Sequence, residues 1–90
     1  MNSFSDNTSL ERFERHEDGL LTFASYRKEG GLLVIPHVEV EPALRGTGAA
    51  GRLMADVLAF ARAEGLKVRP LCGYAAAYMR RHPGTLDLLE

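Results

Sequence analysis

Three places in this 90-residue chain carry side chains and spacings suited to chemistry. They are the glycine-rich segment Arg45-Gly46-Thr47-Gly48-Ala49-Ala50-Gly51, the histidine His37, and the single cysteine Cys72 with Tyr74 and Tyr78 close behind it. The glycine segment runs directly into an amphipathic stretch, so it makes a bare helix entrance. Exposed N–H groups and the positive end of the helix dipole favour an anion there, and glycine allows ligand oxygens close to the main chain, which points to phosphate. His37 alternates with Leu33 and Ile35, which places the three on one strand face; its imidazole suits a proton acceptor, and an ordinary hydrogen-bonded core histidine fits the same position. Cys72 closes a short apolar run ahead of a second helix start, where the dipole lowers a thiol's pKa, although free cysteine also serves as a small buried hydrophobe. If their strands are neighbours, His37 and Cys72 approach each other as a base and thiol pair.

Context narrows the phosphate ligand. Gly46-x-Gly48-x-x-Gly51 matches the dinucleotide fingerprint, yet Val68 to Leu71 stand where an acidic ribose ligand is needed. Gly46-x-x-x-x-Gly51 begins a nucleotide-triphosphatase loop, but Arg52 and Leu53 replace the lysine and hydroxyl that would meet phosphate and magnesium. What remains is the form Arg45-x-x-Gly48-x-Ala50 between a strand and a helix.

The elements that position these residues are readable from patterning. Strand-like runs cover 10–16, 20–27 and 32–40, with Glu17-Asp18-Gly19 and Lys28-Glu29-Gly30-Gly31 as hairpin turns between them. They predict a three-stranded antiparallel meander. Leu53, Met54, Val57, Leu58, Phe60 and Ala61 recur at helical spacing over 49–64 and Gly65 stops the helix. Residues 66–71 form one short strand, parallel to the third by the crossover rule, and 74–81 a closing helix before Pro83-Gly84. The fold class is thus α/β (α+β), a mixed sheet of four strands with two helices. Residues 1–9 read as a flexible polar tail and 10–90 as one domain, with Leu86, Leu88 and Leu89 in a short end segment that packs or meets a partner.

Composition removes other classes. Eleven basic and twelve acidic side chains are interspersed and leave a net charge of −1, so no basic stripe marks a nucleic-acid partner. No apolar run is long enough to span a bilayer and the polar start lacks a secretion-signal layout, so the expectation is a cytoplasmic protein without a membrane partner. One cysteine allows neither an internal disulfide nor a thiolate zinc site, and no metal is expected. The exposed edge of the first strand and the leucine-rich end allow a homodimer.

The glycine loop, together with Ile35-Pro36-His37-Val38-Glu39-Val40, Pro42 and Pro70-Leu71-Cys72-Gly73-Tyr74 followed by Tyr78 and Arg81-His82-Pro83, resembles the GCN5-related N-acetyltransferase superfamily. The likeness is to its miniature single-domain subgroup with a His/Cys pair and spans about residues 13–83. Val38 stands for a common threonine and Gly73 for a common proline or serine. The resemblance implies an acetyl-CoA-dependent transfer of an acetyl group to an amine, small or on a protein. It implies a V-shaped opening between the third strand and residues 66–71, with Val38 and Val40 pairing through main-chain groups with the pantetheine arm. The coenzyme A diphosphate would lie on Arg45, Gly46, Thr47, Gly48, Ala49 and Ala50, with charge from Arg45 and Arg52. Catalytic roles fall to His37 as base and Cys72 as a transient acetyl acceptor, with direct transfer the alternative for Cys72. Tyr74 and Tyr78, one turn apart, line the groove and donate a proton to the departing thiolate, or else are core tyrosines with wet hydroxyls. Two other classes stay open: a non-catalytic acyl-CoA sensing module, and a thiol enzyme indifferent to coenzyme A.

Overall fold

A computed structural model describes residues 2–90. Its sheet has five strands in sequence order: β1 (Ser3–Asn7), β2 (Arg12–Glu17), β3 (Leu20–Glu29), β4 (Leu32–Val40) and β5 (Lys67–Pro70). The first four pair antiparallel, and β5 runs parallel to β4 after α1 (Ala49–Ala63). A second helix, α2 (Gly73–Arg81), follows β5, and short 3₁₀ turns occupy Pro42–Leu44 and Pro83–Leu88. Among the described residues no helix is long and apolar enough to cross a membrane.

The hairpins form where glycine supplies positive φ. Asp18 (φ 52°) and Gly19 (φ 79°) make the two-residue β2–β3 turn, and Gly30 (φ 62°) opens the β3–β4 turn. Gly65 (φ 69°) ends α1 in a Schellman motif: the Leu66 N–H donates to the Ala61 carbonyl at 2.8 Å and the Gly65 N–H to that of Arg62 at 3.3 Å.

Both helices bury their apolar stripes against one face of the sheet. Leu53, Met54, Val57 and Ala61 of α1, with Ala75 and Met79 of α2, join Phe13, Ala24, Leu33, Ile35 and Val68 in a single core. The opposite face carries Arg12, Glu14, Phe23, Ser25 and His37 and, among the described residues, no helix, as the period-2 alternation of each strand requires.

Two expectations need correction. The segment Ser3–Asn7 is an edge strand and not a tail: Phe4 stacks on Phe13 at 5.8 Å between centroids, and the Tyr26 hydroxyl donates to Asp6 at 2.6 Å. Met1, the first residue of the expected tail, lies outside the described residues. The sheet accordingly has five strands where four were expected, and β1 covers the edge of β2 that was expected to be free. At the other end, Leu88 is buried, Val68 bridges Leu89, and the Glu90 N–H donates to the Val68 carbonyl.

Candidate functional site

The site begins where β4 and β5 separate. Their parallel register ends at the pair Ile35 and Pro70, and the N–H groups of Leu71 and Cys72 both donate to the Ile35 carbonyl, at 3.0 and 3.1 Å. Beyond that point β4 continues to Val40 with β3 on one side only. The Glu41 N–H donates to the Leu21 carbonyl at 3.2 Å. Counting back by twos along the ladder, Glu39 and His37 aim their main-chain groups at β3, so those of Val38 and Val40 point away from it into the gap. The sheet therefore presents an open strand edge at Val38 and Val40.

A groove of about 640 Å³ occupies this gap. Its walls are the β4 segment His37–Val40, the loop residues Pro42, Leu44, Arg45, Gly46 and Gly48, the first turn of α1 (Ala49, Ala50, Gly51), and Tyr74 of α2. This volume lies within the usual range for small-ligand sites.

The loop builds an anion cradle from backbone. Gly46 (φ 80°) and Gly48 (φ 86°) take left-handed conformations, and Gly48 serves as N-cap of α1 with no side chain capping the helix. The Arg45 N–H is committed to the Pro42 carbonyl and that of Thr47 to the Leu44 carbonyl, both at 3.2 Å. That leaves the N–H groups of Gly46 and Gly48, and of Ala49 to Gly51 in the first turn, directed outward at the positive end of the helix. Thr47 is exposed but does not line the groove; its hydroxyl folds back onto the loop and donates to the Leu44 carbonyl at 2.6 Å. Arg45 lines the groove and is exposed, whereas Arg52 lies behind the loop. The Arg52 guanidinium grips Glu17 with two bonds, 2.7 and 3.0 Å, and donates to the Thr47 carbonyl at 2.8 Å. Arg52 thus belongs to the support of the loop.

Of the two tyrosines, Tyr74 lines the groove and Tyr78 does not. A Cβ on Gly51 would meet the Tyr74 hydroxyl at 3.6 Å, so this phenol sits over the first turn of α1. Burial holds its pKa above the ordinary phenol value, so the hydroxyl keeps its proton at neutral pH. The Tyr78 ring edge also reaches this turn, 3.7 Å from the same Cβ position, but it stacks on His82 at 3.9 Å between centroids and does not line the groove.

The structure does not join His37 to Cys72. The register of β3 with β4 shifts between Ser25 and Arg27: Ser25 faces His37 and Arg27 faces Val34, so Ile35 and Pro36 together oppose Tyr26. This bulge inverts the alternation, a common role for a proline within a strand. His37 is thereby moved off the face of Leu33 and Ile35, where the sequence pattern predicts it, onto the helix-free face beside Phe23 (6.1 Å between rings). There it lies at the groove mouth with Nε2 3.1 Å from Glu39 Oε1. Cys72 is N-cap of α2 and packs half-buried against the core on the helix side, and no hydrogen bond joins its sulfur to His37 among the described residues. The bulge carried one signal in sequence, Pro36 inside an otherwise continuous strand pattern.

Comparison with known proteins bears on the same residues. The family model described as GCN5-related N-acetyl-transferase matches residues 12–88. No curated protein matches this sequence. Among solved structures, the solution NMR structure of a GCN5-like candidate N-acetyltransferase from Staphylococcus aureus is similar. It is 22% identical with a TM-score of 0.76, and the match covers 98% of this chain and 87% of that one. At that identity the likeness shows the fold: a mixed sheet with a parallel last strand and helices on it.

Proposed function

This chain belongs to the GCN5-related N-acetyl-transferase family, and from that premise we propose that it transfers the acetyl group of acetyl-CoA to an amine. The observation that carries this reading is the open β4 edge at Val38 and Val40, lying in one groove with the outward amides of Gly46 and Gly48–Gly51. An extended amide-bearing arm ending in a diphosphate fits such a surface: the arm pairs with β4 as an added strand, and the diphosphate rests on the helix entrance beside Arg45.

Acetyl-CoA supplies an activated thioester. Tyr74, protonated and poised over α1, donates its hydroxyl proton to the sulfur as the C–S bond breaks. His37 and Glu39 stand on the acceptor side, at the mouth that opens onto the helix-free face. With Nε2–H donated to Glu39, His37 Nδ1 carries the lone pair that takes the amine proton as the new C–N bond forms. The separation of His37 from Cys72 favours direct transfer, and leaves Cys72 to cap α2 and to tie β5 to Ile35 through its N–H.

Calorimetric titration with acetyl-CoA and with coenzyme A, wild type beside Gly48→Glu, tests this reading. Saturable binding that the substitution abolishes is the expected result, followed by acetyl transfer to members of an amine panel. Binding without transfer to any amine would instead leave a cofactor-sensing module, and no binding at millimolar ligand would end both readings.

A further inference from the structure

The proposed diphosphate loop is held from behind by residues that touch no ligand. Glu17, at the end of β2, is only 4% exposed, which is rare for a carboxylate without partners. It has two: Arg15 Nε at 3.0 Å from its own strand, and Arg52 of α1, which engages both carboxylate oxygens. Arg15 in turn bonds Asp56 on α1. Arg52 then spends its remaining donors on the loop, with Nη1 to the Thr47 carbonyl at 2.8 Å and Nη2 toward Thr47 Oγ1 at 3.4 Å; Oγ1 donates onward to the Leu44 carbonyl. A Cβ on Gly48 would come within 3.2 Å of Arg52 Nη1, so the guanidinium fills the space directly beneath the residue whose left-handed turn aims the cradle outward.

We infer that Glu17 is a positioning residue for cofactor affinity: it fixes the Arg52 guanidinium, and Arg52 fixes the Thr47-Gly48 backbone whose neighbouring amides receive the diphosphate. Two features of the arrangement argue for this over a general stabilising ion pair. Arg52 lies 35 residues from Glu17 in sequence, so the pair ties the β2–β3 corner to the loop and to nothing else in the site. Its planar fork satisfies the carboxylate and the loop carbonyl together, a geometry lysine lacks.

This inference rests on the proposed diphosphate role of the loop, and the test separates the two. Dissociation constants are measured for coenzyme A and for acetyl-pantetheine, which lacks the diphosphate, on wild type, Glu17→Gln, Arg52→Gln, Arg52→Lys and the Glu17→Gln/Arg52→Gln double variant. The expected result is that each single Gln variant weakens coenzyme A on the order of tenfold, within the range of couplings inside one hydrogen-bond network. Acetyl-pantetheine is unchanged, Arg52→Lys falls between, and the double variant is no worse than either single one. Should Glu17→Gln fail to fold, Arg52→Gln still decides, because its side chain is 43% exposed and its loss leaves Glu17 paired with Arg15. Equal losses for both ligands would reduce the pair to fold stability. Unchanged or tighter coenzyme A binding in Glu17→Gln, with loss in Arg52→Gln, would mean that a freed Arg52 touches phosphate itself; either result overturns the inference. Failure of the wild type to bind coenzyme A would overturn the proposed function instead.

Discussion

His37 and Cys72 flank the same break in the sheet, two residues beyond the last β4–β5 pair on their respective strands, yet point to opposite faces of it. The imidazole reaches the groove mouth and the thiol rests on the core. A thiol with no base in contact is a poor relay for an acyl group.

Cys72→Ala is therefore expected to retain acetyl transfer to within about twofold, whereas His37→Ala lowers kcat/KM for the amine on the order of 100-fold, the usual share of a general base. Steady-state kinetics on the first amine found active, with a rapid-quench search for an acetylated enzyme, would check both. A stoichiometric acetyl-Cys72 species would overturn direct transfer.

Tyr74→Phe removes only the hydroxyl over α1. It should lower kcat on the order of 100-fold while leaving coenzyme A affinity nearly unchanged. Tyr78→Phe, whose ring stacks on His82 outside the groove, should change neither.

Acid sensitivity follows from Glu17. Hydrogen bonds from Arg52, then Arg15, hold its carboxyl down at about 2 against an ordinary 4.5. A depressed carboxyl contributes stability that is fully present above the unfolded value and is lost as pH falls through the folded one. The loss thus runs from about pH 4.5 to about 2 and amounts to roughly 3 kcal/mol. Denaturant melts across that window should show a smaller decline for Glu17→Gln than for the wild type; parallel curves would refute the assignment.

Thr22 is fully buried on the same sheet face as Ala24, and its hydroxyl has no hydrogen-bond partner among the described residues. Thr22→Val keeps the shape and removes the unpaired group, so it should raise stability by about 1 kcal/mol. Denaturant unfolding with unchanged slope would show it.

Deleting residues 2–7 should cost about 2–4 kcal/mol, from the burial lost at Phe4 and the Tyr26–Asp6 bond. A thermal midpoint unaffected by the deletion would contradict the edge-strand role.

Much of this architecture is legible in the residues. The spacing from Leu53 to Ala61, the Gly65 stop and the Gly46/Gly48 entrance describe α1 and its cradle closely, because local periodicity and glycine conformation decide them. β1 escapes such a reading: Ser-Phe-Ser-Asp-Asn is polar at four of five positions, and it pairs only because Phe13 and Tyr26 offer Phe4 and Asp6 partners from other strands. The facing of His37 escapes it because alternation assumes an unbroken strand, and one extra residue at Ile35-Pro36 reverses everything after it. The Glu17–Arg52 link is a tertiary contact with no local trace.

That extra residue is a phase change within β4: the core receives odd-numbered Leu33 and Ile35 before it and even-numbered Val38 after it. Pairing the same residues without the bulge would turn the His37 ring inward and Val38 outward, exchanging a wet surface for a dry one along the rest of the strand. Removing Pro36 outright would leave Ile35 alone opposite Tyr26, with His37 still outward and Val38 still inward. The two halves of the strand thus keep a common dry side although their sequence patterns are out of step by one residue.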